Sequence, residues 1–127
     1  MLIKENGKIK YIKDKDDEPV KVIDLITEIY NLIKLLSEND INEEYFWIKQ
    51  SLMTVIFNIS HYETTNSRHR AISFLDIAKV SLNDIERKLL DCERFEYISN
   101  EYTYIIRDRI RTIEKMIDNL KKQRIIK

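Results

Sequence analysis

The chain has 127 residues, which is the size of one domain with a single core. Hydrophobic residues make up 43% and charged residues 35%, with one glycine and one proline, a composition that favours long helices over an all-β domain rich in turns. The formal net charge of zero excludes a polycation that binds nucleic acid through its overall charge. The single cysteine, Cys92, excludes an internal disulfide and a cysteine-rich metal site, and it is expected to be a buried or half-buried packing residue.

Residues 1–18 are predicted to form an arm in front of a helical domain at residues 19–127. Asn6-Gly7 contains the only glycine and lies between short β-prone runs, which is the pattern of a type I′ hairpin; a partly ordered arm is the alternative. The amino terminus lacks the apolar segment of a signal peptide. The longest uncharged run, residues 50–62, is shorter than the roughly 20 residues that span a bilayer. We therefore expect a soluble cytoplasmic protein without a membrane partner.

The first helix is predicted over residues 19–37, with Pro19 in its first turn, where proline is tolerated. Its apolar residues repeat at intervals of four and three, and further apolar residues widen that stripe. The repeat consists of Val22, Ile26, Ile29, Ile33 and Leu36, and the widening residues are Ile23, Leu25, Tyr30 and Leu32. We therefore expect this helix to be buried over much of its circumference.

The second helix, predicted over residues 42–62, is apolar on two sides. One side is a core seam of Tyr45, Ile48, Leu52, Val55, Ile59 and Tyr62. Phe46, Met53 and Phe57 form a second stripe about 150° away, and Trp47 lies close to it. A helix that is apolar on two opposed sides is usually covered on both. These four residues are therefore candidates for an interface with another copy of the protein, and the amino-terminal arm is the alternative cover.

The third helix is predicted over residues 70–90, continuing to about residue 92, after a polar connection at residues 63–68 that caps it. Its apolar seam consists of Ala71, Leu75, Ala78, Leu82, Ile85 and Leu89. The two alanines leave room for a neighbouring helix to approach closely, so this helix is expected to be the central one.

The fourth helix is predicted to begin after Ser99, a residue type that caps helices. Its inward face is expected to consist of Tyr102, Ile106, Ile110, Ile113, Ile117 and Leu120. Four amphipathic helices joined by short loops predict an all-α, up-down-up-down four-helix bundle.

A basic arc on the fourth helix is the candidate nucleic-acid-binding site. The arc covers about 80° of the helical wheel, roughly opposite the apolar seam, and consists of Arg107, Arg111, Lys115 and Lys122. Such a stripe can follow phosphates, with Arg68 and Arg70 adding to it. The alternative is a solvated outer face, because Asp118 lies in the same arc at a favourable spacing for an ion pair with Lys122.

Charge is distributed unevenly along the chain. Residues 99–127 hold eight basic and four acidic side chains, whereas residues 22–98 hold eight basic and thirteen acidic ones. The last helix is therefore basic, whereas the helical part of the chain before it is acidic. Self-association between these parts and binding of a phosphate backbone are two possible uses of this asymmetry.

No group of residues identifies a reaction. Neither His61 nor His69 has a glutamate three residues before it, as the di-metal carboxylate sites of helical bundles require. No arginine precedes His61, and His69 follows Arg68 directly, so the spacing of helical HEPN nucleases is absent. One glycine cannot build a phosphate-binding loop. We therefore expect no catalytic residue, cofactor, metal site or small-molecule substrate.

Several packing positions between residues 20 and 122 match a known family. They are Asn58-Ile59, Phe74-Leu75-x-x-Ala78-x-x-Ser81-Leu82-x-x-Ile85-Glu86-x-x-Leu89, Ile98-Ser99 and Met116-Ile117-x-x-Leu120. Through these positions the chain resembles the four-helix-bundle family of proteins encoded by intervening sequences in bacterial 23S ribosomal RNA genes. The related accessory (variability determinant) proteins of diversity-generating retroelements share that fold.

This resemblance implies a homo-oligomer, with a pentamer favoured, that lacks catalytic residues. It also implies RNA, DNA or a reverse transcriptase as the partner. The chain departs from the family at Phe95-Glu96-Tyr97, where a glycine is usual, and in its neutral charge, because the retroelement proteins tend to be strongly basic. A protein-interaction scaffold with no nucleic-acid role is the alternative function.

Overall fold

Four long helices make up most of the fold in the computed structural model, which describes residues 2–5, 8–11, 21–38 and 42–126. The helices are α1 (Val22–Glu38), α2 (Asn42–Thr64), α3 (Arg68–Arg94) and α4 (Asn100–Ile126). Each helix packs against the next, and α4 also contacts α1, which closes an up-down-up-down bundle. The prediction of an all-α four-helix bundle is thereby confirmed. Pro19, expected in the first turn of α1, lies outside the described residues.

Two short strands precede the helices. β1 (Leu2–Glu5) pairs antiparallel with β2 (Lys8–Tyr11), so that Leu2 lies opposite Tyr11. β2 also contacts α4. The proposed type I′ turn at Asn6-Gly7 and the proposed boundary at residue 18 both lie outside the described residues. The division of the chain into an arm and a bundle therefore stays a prediction.

Serine side chains cap the last two helices, Ser67 within the predicted polar connection and Ser99 at the predicted cap position. The Ser67 hydroxyl accepts a hydrogen bond from the Arg70 backbone N–H at 3.2 Å, which satisfies one of the otherwise unpaired donors at the start of α3. The Ser99 hydroxyl accepts from the Tyr102 backbone N–H at the same distance. α3 and α4 therefore begin where their polar connections end.

A tight turn joins the end of α3 to α4. The Tyr97 N–H donates to the Cys92 carbonyl at 2.9 Å and the Glu96 N–H donates to the Glu93 carbonyl at 3.0 Å, which is the hydrogen-bond pattern of a Schellman motif. Glu96 has a φ of 63°, in the left-handed region that glycine adopts at the lowest cost. α3 runs to Arg94, two residues beyond its predicted end.

The core is built from the predicted apolar seams. The seam of α3 is buried along its whole length, at Ala71, Leu75, Ala78, Leu82, Ile85 and Leu89. α2 packs more closely on α3 than on α1, as the small residues in that seam allow. Ile23 corrects the expectation for α1: it is half exposed rather than buried, because it lies in the first turn on the rim of an open cleft.

Polar contacts join α1 to α4 inside the bundle. The Tyr102 hydroxyl donates a hydrogen bond to the Leu32 carbonyl, and burial raises the pKa of this tyrosine. Nε of Arg109 lies 2.9 Å from Oε2 of Glu28, and only 5% of the Arg109 side chain is exposed. Both contacts fix the position of α1 relative to α4.

Candidate interaction surfaces

Four large apolar side chains on α2 point away from the core. We call Phe46, Trp47, Met53 and Phe57 the outer α2 face; each is between 52% and 62% exposed in the single chain. Phe46, Met53 and Phe57 follow one another at intervals of seven and four residues, so they line up along about 16 Å of the helix. The core seam occupies the opposite side of α2, which leaves no neighbouring helix of the bundle over these residues.

Ring contacts order part of the outer α2 face. The Phe46 and Trp47 rings meet edge to face with centroids 6.0 Å apart. Phe57 lies 4.2 Å from the His61 ring, which is 5.2 Å from the ring of Phe74 on α3. The three aromatic residues of the face, each about half exposed, leave about 300 Å² of apolar surface in water. A patch of that size on a single chain is often a functional surface.

The basic arc of α4 is partly neutralised by α3. Nε of Arg107 lies 2.7 Å from Oε1 of Glu86, and Nη2 of Arg111 lies 3.5 Å from the same oxygen. The expected pairing of Asp118 with Lys122 is wrong, because Asp118 instead binds Nζ of Lys79 on α3 at 2.9 Å. That contact lowers the pKa of Asp118, since the lysine hydrogen bond stabilises the carboxylate. The arc therefore borders α3 along one edge.

Three of the remaining basic candidates lie at one end of the bundle. Ion pairs join Lys79 to Asp118 and Asp76 to Lys121, so α3 and α4 run antiparallel. Continuing this register places the start of α3, with the exposed Arg70, beside the end of α4. The start of α3 also carries the exposed Arg68 and the end of α4 the exposed Lys122, whereas the exposed Lys115 lies near the middle of α4, about 10 Å from Lys122. Arg107 is about 22 Å from Lys122 along the helix, so the six candidates do not form one compact site.

Two ionisable residues in the α3–α4 and α1–α4 contacts were missed by the sequence reasoning. Burial raises the pKa of Glu114, and the nearby Glu86 carboxylate raises it further. Arg109 is buried against Glu28, although a solvated arginine is the ordinary expectation. One signal was available: Arg109 lies three residues after Ile106 and next to Ile110, on the flank of the apolar seam.

Nothing in the described part of the chain is arranged for metal or thiol chemistry. No group of three histidine, cysteine, aspartate or glutamate side chains among the described residues could hold a metal ion. Cys92 is fully buried, as predicted, and burial raises its pKa to about 11, which keeps it in the thiol form. None of the described helices combines the length and the apolar character that crossing a membrane would require.

Comparison with known proteins gives an informative structural similarity. No protein-family model matches the chain, and no curated protein matches it. Among solved structures, the chain is similar to a protein with unknown function from the S23 ribosomal protein family of Bacteroides thetaiotaomicron VPI-5482. The two share 28% sequence identity with a TM-score of 0.70, over 80% of this chain and 99% of the other.

This similarity supports a family link at a coarse level and the four-helix fold. The relation to retroelement accessory proteins stays a prediction. Because the similar protein has unknown function, it assigns no activity and no binding site to the outer α2 face or to the basic residues.

Proposed function

We propose that the protein is a non-enzymatic, homo-oligomeric four-helix bundle in which the outer α2 face is the contact between copies. The observation that carries this proposal is that three aromatic side chains and a methionine on one helix face are each more than half exposed. Aromatic residues and methionine are enriched in protein interfaces, where they supply the buried centre.

The size of the outer α2 face fits the centre of an interface. Specific interfaces bury about 800 Å² on each partner, and their apolar centre is surrounded by a polar rim. The roughly 300 Å² of aromatic surface would supply that centre, with the polar residues of α2 around it. Water exposure of the same surface in a lone chain costs about 25 cal/mol per Å², or about 7 kcal/mol in total, which association would recover in part.

The family resemblance favours a pentamer, and a ring of that kind needs a heterologous contact. In a closed ring of five, one patch on each subunit meets a different patch on the next. The outer α2 face would then pack against another surface of the neighbouring copy. A two-fold dimer would instead bring two outer α2 faces together, so the subunit number distinguishes the two arrangements.

Light scattering on the full chain tests the proposal. The wild type is expected to have the mass of several 15.4 kDa chains, and Phe46→Glu with Phe57→Glu is expected to give a smaller species. Val80→Glu is the matched control, because Val80 is equally exposed but lies on α3 away from the outer α2 face. A wild-type monomer, or an unchanged mass in the double variant, would refute the proposal.

A second candidate function is binding of structured RNA by the exposed basic residues. The observation that favours it is the gathering of Arg68, Arg70 and Lys122 at the end of the bundle where α3 begins and α4 ends, with Lys115 about 10 Å from Lys122 along α4. Phosphate contacts of this kind are sequence-independent, and repetition around a ring would add the contribution of each copy.

The RNA-binding candidate predicts a steep salt dependence. Charge reversal at Arg70, Lys115 and Lys122 together should weaken binding at low salt and lower the slope of log affinity against log salt by about 2 to 3. Arg87→Glu is the control, because its exposed guanidinium already pairs with Asp84 on the same helix. Absence of binding at low salt, or equal losses in both variants, would remove this candidate.

A further inference from the structure

An apolar cleft opens at one end of the bundle, where α1 begins and α2 and α4 end. Its volume is about 620 Å³. Its apolar lining includes Val22, Ile26, Ile56, Ile59, Met116 and Leu120. We call it the end cleft. Ile23 on its rim is half exposed, so apolar surface remains in contact with water there.

An aromatic projection stands at the opposite end of the bundle. The turn between α3 and α4 exposes 60% of Phe95 and 46% of Tyr97, and their rings lie 5.9 Å apart. The Arg94 guanidinium lies over the Phe95 ring at 5.5 Å. We call Phe95–Tyr97 the aromatic turn. The hydrogen bonds of the Schellman motif hold its backbone in one conformation, so the two rings are presented without the entropy loss that ordering a flexible loop would require.

The two ends carry opposite charge. Residues 91–101, which contain the aromatic turn, hold four acidic side chains and one basic one, and that base, Arg94, is paired with Asp91. At the other end, Lys21 lines the end cleft, and Lys115 and Lys122 lie on α4 one turn to either side of the lining residue Asn119. Glu63 is the one acidic residue among the described lining of the cleft.

The aromatic turn and the end cleft of one chain cannot meet. α3 spans 27 residues between the two ends, which is about 40 Å of helix. Only a second copy can bring the two surfaces together, and their opposite charges favour that encounter.

We propose that the aromatic turn of one copy inserts into the end cleft of a second copy, head to tail. Phe95 and Tyr97 fill apolar space between α1, α2 and α4, and the acidic residues around the turn face Lys21, Lys115 and Lys122. The contact is heterologous, so each copy has one free turn and one free cleft for further copies. It uses no residue of the outer α2 face and does not require that face to be an interface.

Thiol cross-linking between two single variants tests the contact. Glu96→Cys places a thiol in the turn and keeps both aromatic rings, and Ile23→Cys places one on the rim of the cleft. The native Cys92 is buried and does not compete for the reagent. A mixture of the two variants, treated with a short bifunctional maleimide, is expected to give a covalent heterodimer that contains both chains.

Two control variants test whether the cross-link depends on the position of the thiol and on the aromatic rings. Tyr104→Cys, highly exposed near the same end but outside the turn, should give little heterodimer with Ile23→Cys. Phe95→Ser with Tyr97→Ser in the Glu96→Cys chain should reduce the heterodimer at least tenfold, with helical content checked by circular dichroism. No heterodimer, or equal amounts with the Tyr104→Cys control or without the rings, overturns the proposal.

The same mixture separates this proposal from the proposed function. In chains that also carry Phe46→Glu and Phe57→Glu, the heterodimer is expected to form at an unchanged yield. If the heterodimer is lost in these chains, the head-to-tail contact depends on the outer α2 face and the proposal is overturned. Failure of the outer α2 face to mediate association, seen by light scattering, leaves the expected cross-link unaffected.

Discussion

The buried contact between Arg109 and Glu28 allows a quantitative test of what holds α1 on α4. Arg109→Met keeps most of the aliphatic stem and removes the charge, so the Glu28 carboxylate loses its partner at 2.9 Å. Breaking a fully buried ion pair costs about 3 to 5 kcal/mol. Because 26% of the Glu28 side chain is exposed, water can solvate part of the carboxylate, and we expect a loss of about 2 to 3 kcal/mol in the free energy of unfolding.

A double-mutant cycle isolates the interaction from the loss of packing. Glu28→Gln alone should cost about 1 to 2 kcal/mol, since Nη1 of Arg109 keeps the Asp108 carboxylate at 3.1 Å. The loss of unfolding free energy in the double variant should be smaller than the sum of the two single losses by about 1 to 2 kcal/mol, and this difference is the coupling energy. Urea unfolding followed by circular dichroism measures it. The same cycle on the exposed pair Arg87–Asp84 should give a coupling below about 0.5 kcal/mol. A coupling at Arg109–Glu28 no larger than that of the exposed pair would refute the reasoning.

Four further outcomes follow from individual residues. Glu96→Gly should stabilise the fold by about 0.5 to 1 kcal/mol and raise the melting temperature, because the left-handed φ of 63° at Glu96 costs an L-residue about 1 to 2 kcal/mol. An unchanged melting temperature would contradict this expectation. Ala78→Leu should lower the free energy of unfolding by about 1 to 3 kcal/mol in urea, because the site is fully buried at a close helix contact; full wild-type stability would show that the contact is loose. Because the pKa of Glu114 is raised, the native state keeps its proton to a higher pH than the unfolded chain does, so the associated stability is present below the unfolded pKa and is lost as the pH rises through the folded pKa. Glu114→Gln should remove this pH dependence of the free energy of unfolding and stabilise the protein at pH 7 by less than about 1 kcal/mol. An identical pH profile in the two proteins would be the contrary result. The Cys92 thiol, with a pKa of about 11, should react with iodoacetamide at pH 8 at least a hundredfold more slowly in the native protein than in urea, and equal rates would show that the site is open.

Helical periodicity determined most of the fold. The intervals of four and three in the apolar residues located all four helices, and Ser99 located the start of α4. The second apolar stripe of α2 was also visible in the sequence, because the apolar residues on a helix wheel indicate every side that needs cover. The single chain leaves that stripe exposed, and its cover by another copy is a proposal.

Only the tertiary structure decided how the charges are paired. Helix spacing predicted a bond between Asp118 and Lys122, but the approach of α3 brought Lys79 to Asp118 and Glu86 to two arginines of the basic arc. The periodicity of one helix specifies which residues share a face, whereas the rotation and register of the neighbouring helix decide which charges from the two come within 4 Å. For the same reason the sequence alone showed neither the burial of Arg109 between α1 and α4 nor the placement of the aromatic turn and the end cleft at opposite ends of the bundle. Both depend on how the helices pack against one another.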